Sequence, residues 1–278
     1  MNAFKIPLGD SIEALIEFSV SNFSFATKAF SGITENGIDI LINIMMLPPP
    51  PVLILIFTGL AWYLSRRRGV ALFALTGLVL IWNIGLWSPT VSTIALVLIA
   101  TLFAVCIGIP LGILAALNEV AHRIITPILD FMQTMPAFVY LIPAIPFFGL
   151  GPVAAIFSTV IFSMPPVIRL TDLGIRQTPK ELVEAADAFG CNPRQKLFKL
   201  QLPIAKPTIL AGINQTIMLA LSMVVIAAMI GAKGLGGEVW KAIQRLQPGR
   251  GFEAGIGIVI VAIILDRIMQ RVGSKSKA

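Results

Sequence analysis

Few residues in this chain are equipped to make or break bonds. His122 is the only histidine, and it stands near the polar boundary of an apolar stretch. A solvated imidazole there offers no acid–base pair and no metal set. Cys106 and Cys191 cannot build a disulfide framework and lack metal spacing. There is no G-x-x-x-x-G-K-[ST] loop, so the chain is not expected to bind ATP in the usual way by itself. Asp130 is the one acid singled out well inside an apolar run, about a turn from its end, which favours an interfacial side chain over a proton relay. No selectivity-filter repeat or acidic ring is present. What remains is a set of neutral polar groups in apolar surroundings: Gln133, Thr134, Tyr140, Asn214, Thr216 and Ser222. Such atoms either line a path for a small solute or hydrogen-bond neighbouring helices. No catalytic residue, metal or cofactor is expected on the chain, which reads as a non-enzyme.

The elements that hold these residues are written in the composition. Of 278 residues, 56% are hydrophobic and 13% charged, against about 25% charged in ordinary soluble domains. From Phe131 to Ile168 there is no Asp, Glu, Lys or Arg. A soluble enzyme, a secreted disulfide scaffold and a disordered chain are excluded, leaving an all-α integral membrane protein. Seven candidate spans follow, at about 50–64, 69–87, 90–117, 124–148, 152–168, 207–231 and 253–270. Arg66, Arg67 and Arg68 place the end of the first on the inside by the positive-inside rule. That choice puts 15 of the 21 Lys and Arg inside, with the N-terminus out and the C-terminus in. Trp62, Tyr63, Trp82 and Trp87 sit at span ends, as an aromatic belt requires. Residues 1–47 show Ile12, Leu15, Ile16 and Phe23 at helical spacing, with Asp10, Glu13 and Glu17 opposite. This predicts an amphipathic segment lying in the interface, ahead of a polytopic domain over 48–278.

One long polar stretch interrupts the spans, from Arg169 to Lys206. Thr178-Pro179-Lys180-Glu181 reads as a capping box with proline at the first helical position. The helix it opens, about 179–189, carries Glu181, Glu184 and Asp187 on one face. Leu182, Ala185, Ala186 and Phe189 form the other face. Gly190 supplies a left-handed stop. Asn192-Pro193-Arg194-Gln195 repeats the start signal, and Arg194, Lys196 and Lys199 make the second helix basic.

Glu184-Ala185-Ala186, then Gly190, then Leu200-Gln201-Leu202-Pro203 resembles the EAA loop of ABC importer permeases. Leu200 stands where that family usually has isoleucine. The resemblance implies a type I ABC importer transmembrane domain whose loop, 169–206, inserts into a cleft of a separate ATPase subunit. Glu184, Ala185, Ala186, Gly190, Leu200, Leu202 and Pro203 would then carry the coupling. The runs from Gln133 to Leu141, from Pro165 to Leu170 and from Gly212 to Met223 are similar to the quaternary-amine branch of these permeases. That narrower likeness implies glycine betaine, proline betaine or choline as cargo, carried across a bacterial inner membrane. It also implies a second copy of the chain, two ATPase subunits holding ATP and Mg, and an extracytoplasmic binding protein. The loop by itself does not separate this cargo from the methionine or phosphonate of other permeases in the superfamily. A secondary transporter acting alone would call for more intramembrane charge than the spans contain.

A quaternary ammonium is held best by aromatic faces, and the few tyrosines and tryptophans here sit mostly at span ends. The selective site is therefore expected on the binding protein, with a weak path through this chain. Pro136, Pro143 and Pro146 are expected to bend the fourth span. Gly234, Gly236 and Gly237 are expected to bring an outer loop close to the gate.

Overall fold

Backbone groups in lipid must be satisfied internally, and helices achieve this within one segment. The computed structural model describes residues 8–22 and 24–274, and every regular element among them is helical. Phe23, Lys275 and Lys277 lie outside the described residues, as do the side chains of Leu15 and Arg271. Helices α1 (Leu8–Asn22) and α2 (Ser24–Met46) form the amino-terminal segment. After the prolines come α3 (Pro50–Ser65) and α4 (Arg68–Asn83), packed side by side. At 16 residues each, or about 24 Å, they are shorter than a hydrocarbon core of about 30 Å. The turn between them uses Arg66 in a left-handed conformation, with its guanidinium 5.2 Å from the Tyr63 ring.

Helix α5 (Trp87–Leu117) is the long central rod. Trp87 is buried in the core, so it packs between helices instead of joining an aromatic belt. Asn118 then caps α6 (Glu119–Thr134), accepting from the amides of Val120 and Ala121. Of the bends expected in the span over 124–148, the one at Pro136 forms as a sharp corner, while Pro143 and Pro146 lie within one short helix. At Met135 and Pro136 the chain leaves the helix, and a 3-10 turn (Ala137–Tyr140) and α7 (Leu141–Phe148) continue at 112° to α6. Proline lacks the amide needed to continue α6 and drives the residue before it into extended backbone.

Helices α8 (Pro152–Ser163) and α9 (Pro165–Arg176) run as one rod past the expected end of the fifth span. The loop helices α10 (Lys180–Ala188) and α11 (Pro193–Lys196) follow. A five-residue π-helix (Leu197–Gln201) leads into α12 (Leu202–Ala228). The chain ends with α13 (Leu235–Gln244) and α14 (Pro248–Ser274). Among the described residues, Trp87–Leu117, Pro152–Arg176 and Pro193–Ala228 are long and apolar enough to cross a bilayer. Two bent pairs would raise these three crossings to five if each pair counts as one.

The bundle is organised around α9, which packs against both α5 and α12. Close approach to α5 depends on Gly108 and Gly112. A β-carbon on Gly112 would stand 2.6 Å from the Ile168 carbonyl oxygen, and one on Gly108 would stand 2.4 Å from a Val167 methyl. Such small-x-x-x-small pairs let helix backbones meet where no hydrophobic effect drives association. Ile38 and Met45 of α2 are also buried, so part of the amino-terminal segment packs on the bundle.

Candidate coupling and translocation site

The last two turns of α9 are charged, and each charge finds a partner. Arg169 Nη2 donates to Asp130 Oδ1 at 2.6 Å, which accounts for Asp130 as one half of an ion pair. Arg176 donates Nε to Asp172 at 2.8 Å, Nη1 to Glu119 at 2.6 Å and Nη2 to the Ala115 carbonyl at 2.8 Å. His122, expected to be solvated, is half-buried with Nδ1 2.9 Å from the other oxygen of Asp172. The hydrogen bond and charge of Arg176 hold the Glu119 carboxyl below its usual range. These contacts fasten α9 to the end of α5 and the start of α6. The polar stretch expected from residue 169 is therefore rigid helix as far as Arg176.

Only after Arg176 does the chain project. The capping box expected at Thr178 does not form: Pro179 is the N-cap without a side-chain bond, and the Thr178 hydroxyl is buried without a partner. None of the residues of α10 is buried. Leu182 and Phe189 point outward, Phe189 with 90% of its surface exposed. Gly190 ends the helix at φ +75°, where Cys191 N–H donates to the Ala186 carbonyl and Gly190 N–H to that of Asp187. This is a Schellman closure, and it needs a left-handed residue. The second start signal works as expected: Asn192 and Gln195 exchange side-chain and backbone hydrogen bonds at 2.8 and 2.9 Å. Lys196 Nζ lies 2.7 Å from Asp187 and ties the two loop helices together.

Glu184 and Ala185 are exposed on α10, and Ala186 is half-buried. Glu184 also borders a cleft of about 230 Å³ with Arg176, Lys180 and Gln201, between loop and spans. Leu200 lies on the π-helix, and Leu202 and Pro203 open α12. The expected coupling residues thus share one projecting unit whose root is α9 on one side and α12 on the other.

The six polar groups proposed for a path divide. Gln133, Thr134 and Ser222 are exposed; Thr134 and Ser222 bond carbonyls of their own helices at 3.0 Å. Tyr140 is buried and donates to the Met132 carbonyl across the α6–α7 break. Asn214 donates to Asp266 of α14 at 2.9 Å, and Gln270 donates to the second oxygen of Asp266 at 2.7 Å. Thr216 is fully buried. Tyr140 and Asn214 thus bond neighbouring elements in this conformation, and the Thr216 hydroxyl is buried without a partner. The sequence reading passed over the Arg176 cluster and Asp266; their charge at a helix end beside an apolar run was the available signal.

Gly234 and Gly236 have clear positional reasons. A β-carbon on Gly236 would meet the Val224 carbonyl oxygen at 2.3 Å, and Gly234 has φ +137° beside Thr93, whose hydroxyl accepts from Leu235 N–H. Both seat α13 on α5 and α12. Gly237 has no contact that tight.

Comparison with known proteins agrees with this arrangement. Residues 108–277 match the family described as Binding-protein-dependent transport system inner membrane component. The chain is 52% identical over 278 residues to the glycine betaine transport system permease protein OpuAB of Bacillus subtilis, covering 99% of this chain and 97% of that protein. It is 49% identical to the glycine betaine/carnitine transport permease protein GbuB of Listeria monocytogenes, covering 100% and 99%. Against the glycine betaine/proline betaine permease protein ProW of Escherichia coli it is 48% identical, covering 98% and 77%. An inward-facing structure of the MetNI methionine ABC transporter shares the fold, with TM-score 0.62 and 22% identity over 66% of this chain and 93% of that one. With the family matched over more than half of its length, the chain belongs to the binding-protein-dependent inner membrane components, the multi-pass permease subunits of ABC importers.

Proposed function

We infer that this permease carries glycine betaine or proline betaine, with choline as the next candidate, driven by ATP hydrolysis on separate subunits. The cargo reading rests on relatives at 48–52% identity over nearly the whole chain that are named for glycine betaine. A choline permease of Bacillus subtilis is 30% identical over 65% of the chain. The coupling reading rests on one observation: α10 has no buried residue, yet it hangs from an α9 pinned by Arg169 and Arg176. An apolar Phe189 beside small Ala185 and acidic Glu184 suits insertion into a cleft on the ATPase. Movement of α10 then passes through Arg176 to α5 and through Leu200, Leu202 and Pro203 to α12, as a rigid-body displacement.

ATP and Mg belong to the partner ATPase, and the chain has no nucleotide loop of its own. Two copies would face each other across the path, with Gln133, Thr134 and Ser222 the exposed candidates to line it. The coupling end lies in the cytoplasm, with the N-terminus outside and the C-terminus inside. The near right angle of 101° between α2 and α3 supports an amino-terminal segment lying along the membrane surface. The test is uptake of labelled glycine betaine, proline betaine and choline into vesicles holding this chain, its ATPase and its binding protein. Uptake is expected to need all three and ATP. Uptake by this chain alone, or assembly with ATP turnover and no osmolyte moved, would overturn coupling or cargo respectively.

A further inference from the structure

The end of the bundle away from α10 carries an apolar groove of about 1070 Å³ between α4, α13 and α14. Phe73, Ile243, Leu246, Phe252, Ile256 and Val259 line it, and the last five are exposed. Leu246 is 88% exposed and holds φ +54°, a left-handed conformation uncommon for a non-glycine residue. Ala242 and Gln247 are shared with a polar cleft at the mouth that also holds Glu238, Lys241, Arg245, Arg250 and Glu253. Lys241 is paired with Glu238 at 2.8 Å, whereas no described hydrogen bond or ion pair engages the side chain of Arg245 or Arg250. The three cations and two acids leave the mouth one positive charge, matched by a ligand of charge −1.

The geometry points to a site for an anionic phospholipid, phosphate on Arg245 and Arg250 and an acyl chain along Phe252, Ile256 and Val259. From Arg250 to Ile263 the groove follows α14 for about 20 Å, half the 40–45 Å of a bilayer with its headgroups. A groove one leaflet deep fits a lipid, whose acyl chains end at the bilayer midplane. The charged mouth fits a phosphate for the same reason that polybasic segments attract anionic headgroups.

The assembled transporter, extracted from membranes containing equal phosphatidylglycerol and phosphatidylethanolamine, would be examined by native mass spectrometry for retained lipid. Phosphatidylglycerol is expected to be retained preferentially, and Arg245→Gln with Arg250→Gln to weaken its binding about thirtyfold. Ile256→Trp, which fills the groove without touching the charges, is expected to displace the lipid as well. Arg67→Gln with Arg68→Gln, a basic pair on another turn, is expected to leave retention unchanged. Equal retention of both lipids, wild-type retention in either groove variant, or equal loss in the Arg67 and Arg68 variant would overturn the proposal. So would a disulfide between two copies through Ile256→Cys that the parent chain does not form, because the groove would then be an interface between permeases.

Discussion

Thr178 and Asn192 begin nearly the same local sentence, each followed by proline and, two residues later, by a carboxylate or amide. Only Asn192 caps its helix. Thr178 falls in a link of three residues after α9, where its own N–H bonds the Ile175 carbonyl and its side chain is drawn inward, 5% exposed. The motif was legible and its burial was not, because burial depends on where α9 ends in space. Asn192→Ala should lower the stability of the purified protein by about 1 kcal/mol. Thr178→Val, which removes an unpaired buried hydroxyl while keeping shape, should be neutral or slightly stabilising. A melting comparison of the two checks this contrast, and the reverse order would contradict the geometry. At the same scale, Glu184→Lys should abolish uptake while leaving insertion and helix content intact, since Glu184 is exposed and lies on no packed face.

Elements explain what single residues cannot. Composition marked 124–148 as one apolar stretch, but hydropathy carries no direction, and the 112° corner at Pro136 divides it into an amphipathic α6 and a short α7. Proline at that point was visible; which way the chain turned depended on Tyr140 reaching back to Met132 and on α8 supporting it, with Ser158 donating to the Tyr140 carbonyl at 3.1 Å. The clasp of α5 on α9 makes a sharper prediction. Gly112→Ala should destabilise by about 1–3 kcal/mol through overpacking against backbone. Gly255→Ala, in a helix position with open space around it, should stabilise by about 0.5–1 kcal/mol. Thermal unfolding in detergent distinguishes them. Gly190→Pro acts through backbone alone: it removes the amide that bonds Asp187 and forces φ negative at a residue held at +75°. It should leave a membrane-inserted, ATPase-deficient assembly without uptake, seen by pull-down of the ATPase alongside transport.

Across the whole molecule, the sequence carried the family and the projecting loop, because both depend on short-range spacing. It did not carry the root of that loop, since Arg176 meets Glu119 and Ala115 over separations of 57 and 61 residues. Nor did it mark the π-helix at Leu197–Gln201, where Leu202 N–H reaches five residues back to Leu197 instead of four. That short segment fixes the rotational phase between the projecting loop and the long rod α12. Inserting one alanine after Ile204, in the α-helical turn that follows the π-helix, would turn everything before it by about 100° and move it out by about 1.5 Å. Such an insertion should still assemble and hydrolyse ATP, yet push the spans along the wrong azimuth, giving turnover without cargo. Uptake at the parent rate would show that the angle is free. A loss of uptake with hydrolysis retained would mean that this transporter is timed like a gear train, in which the phase of a single helix sets in which direction the gate receives each stroke.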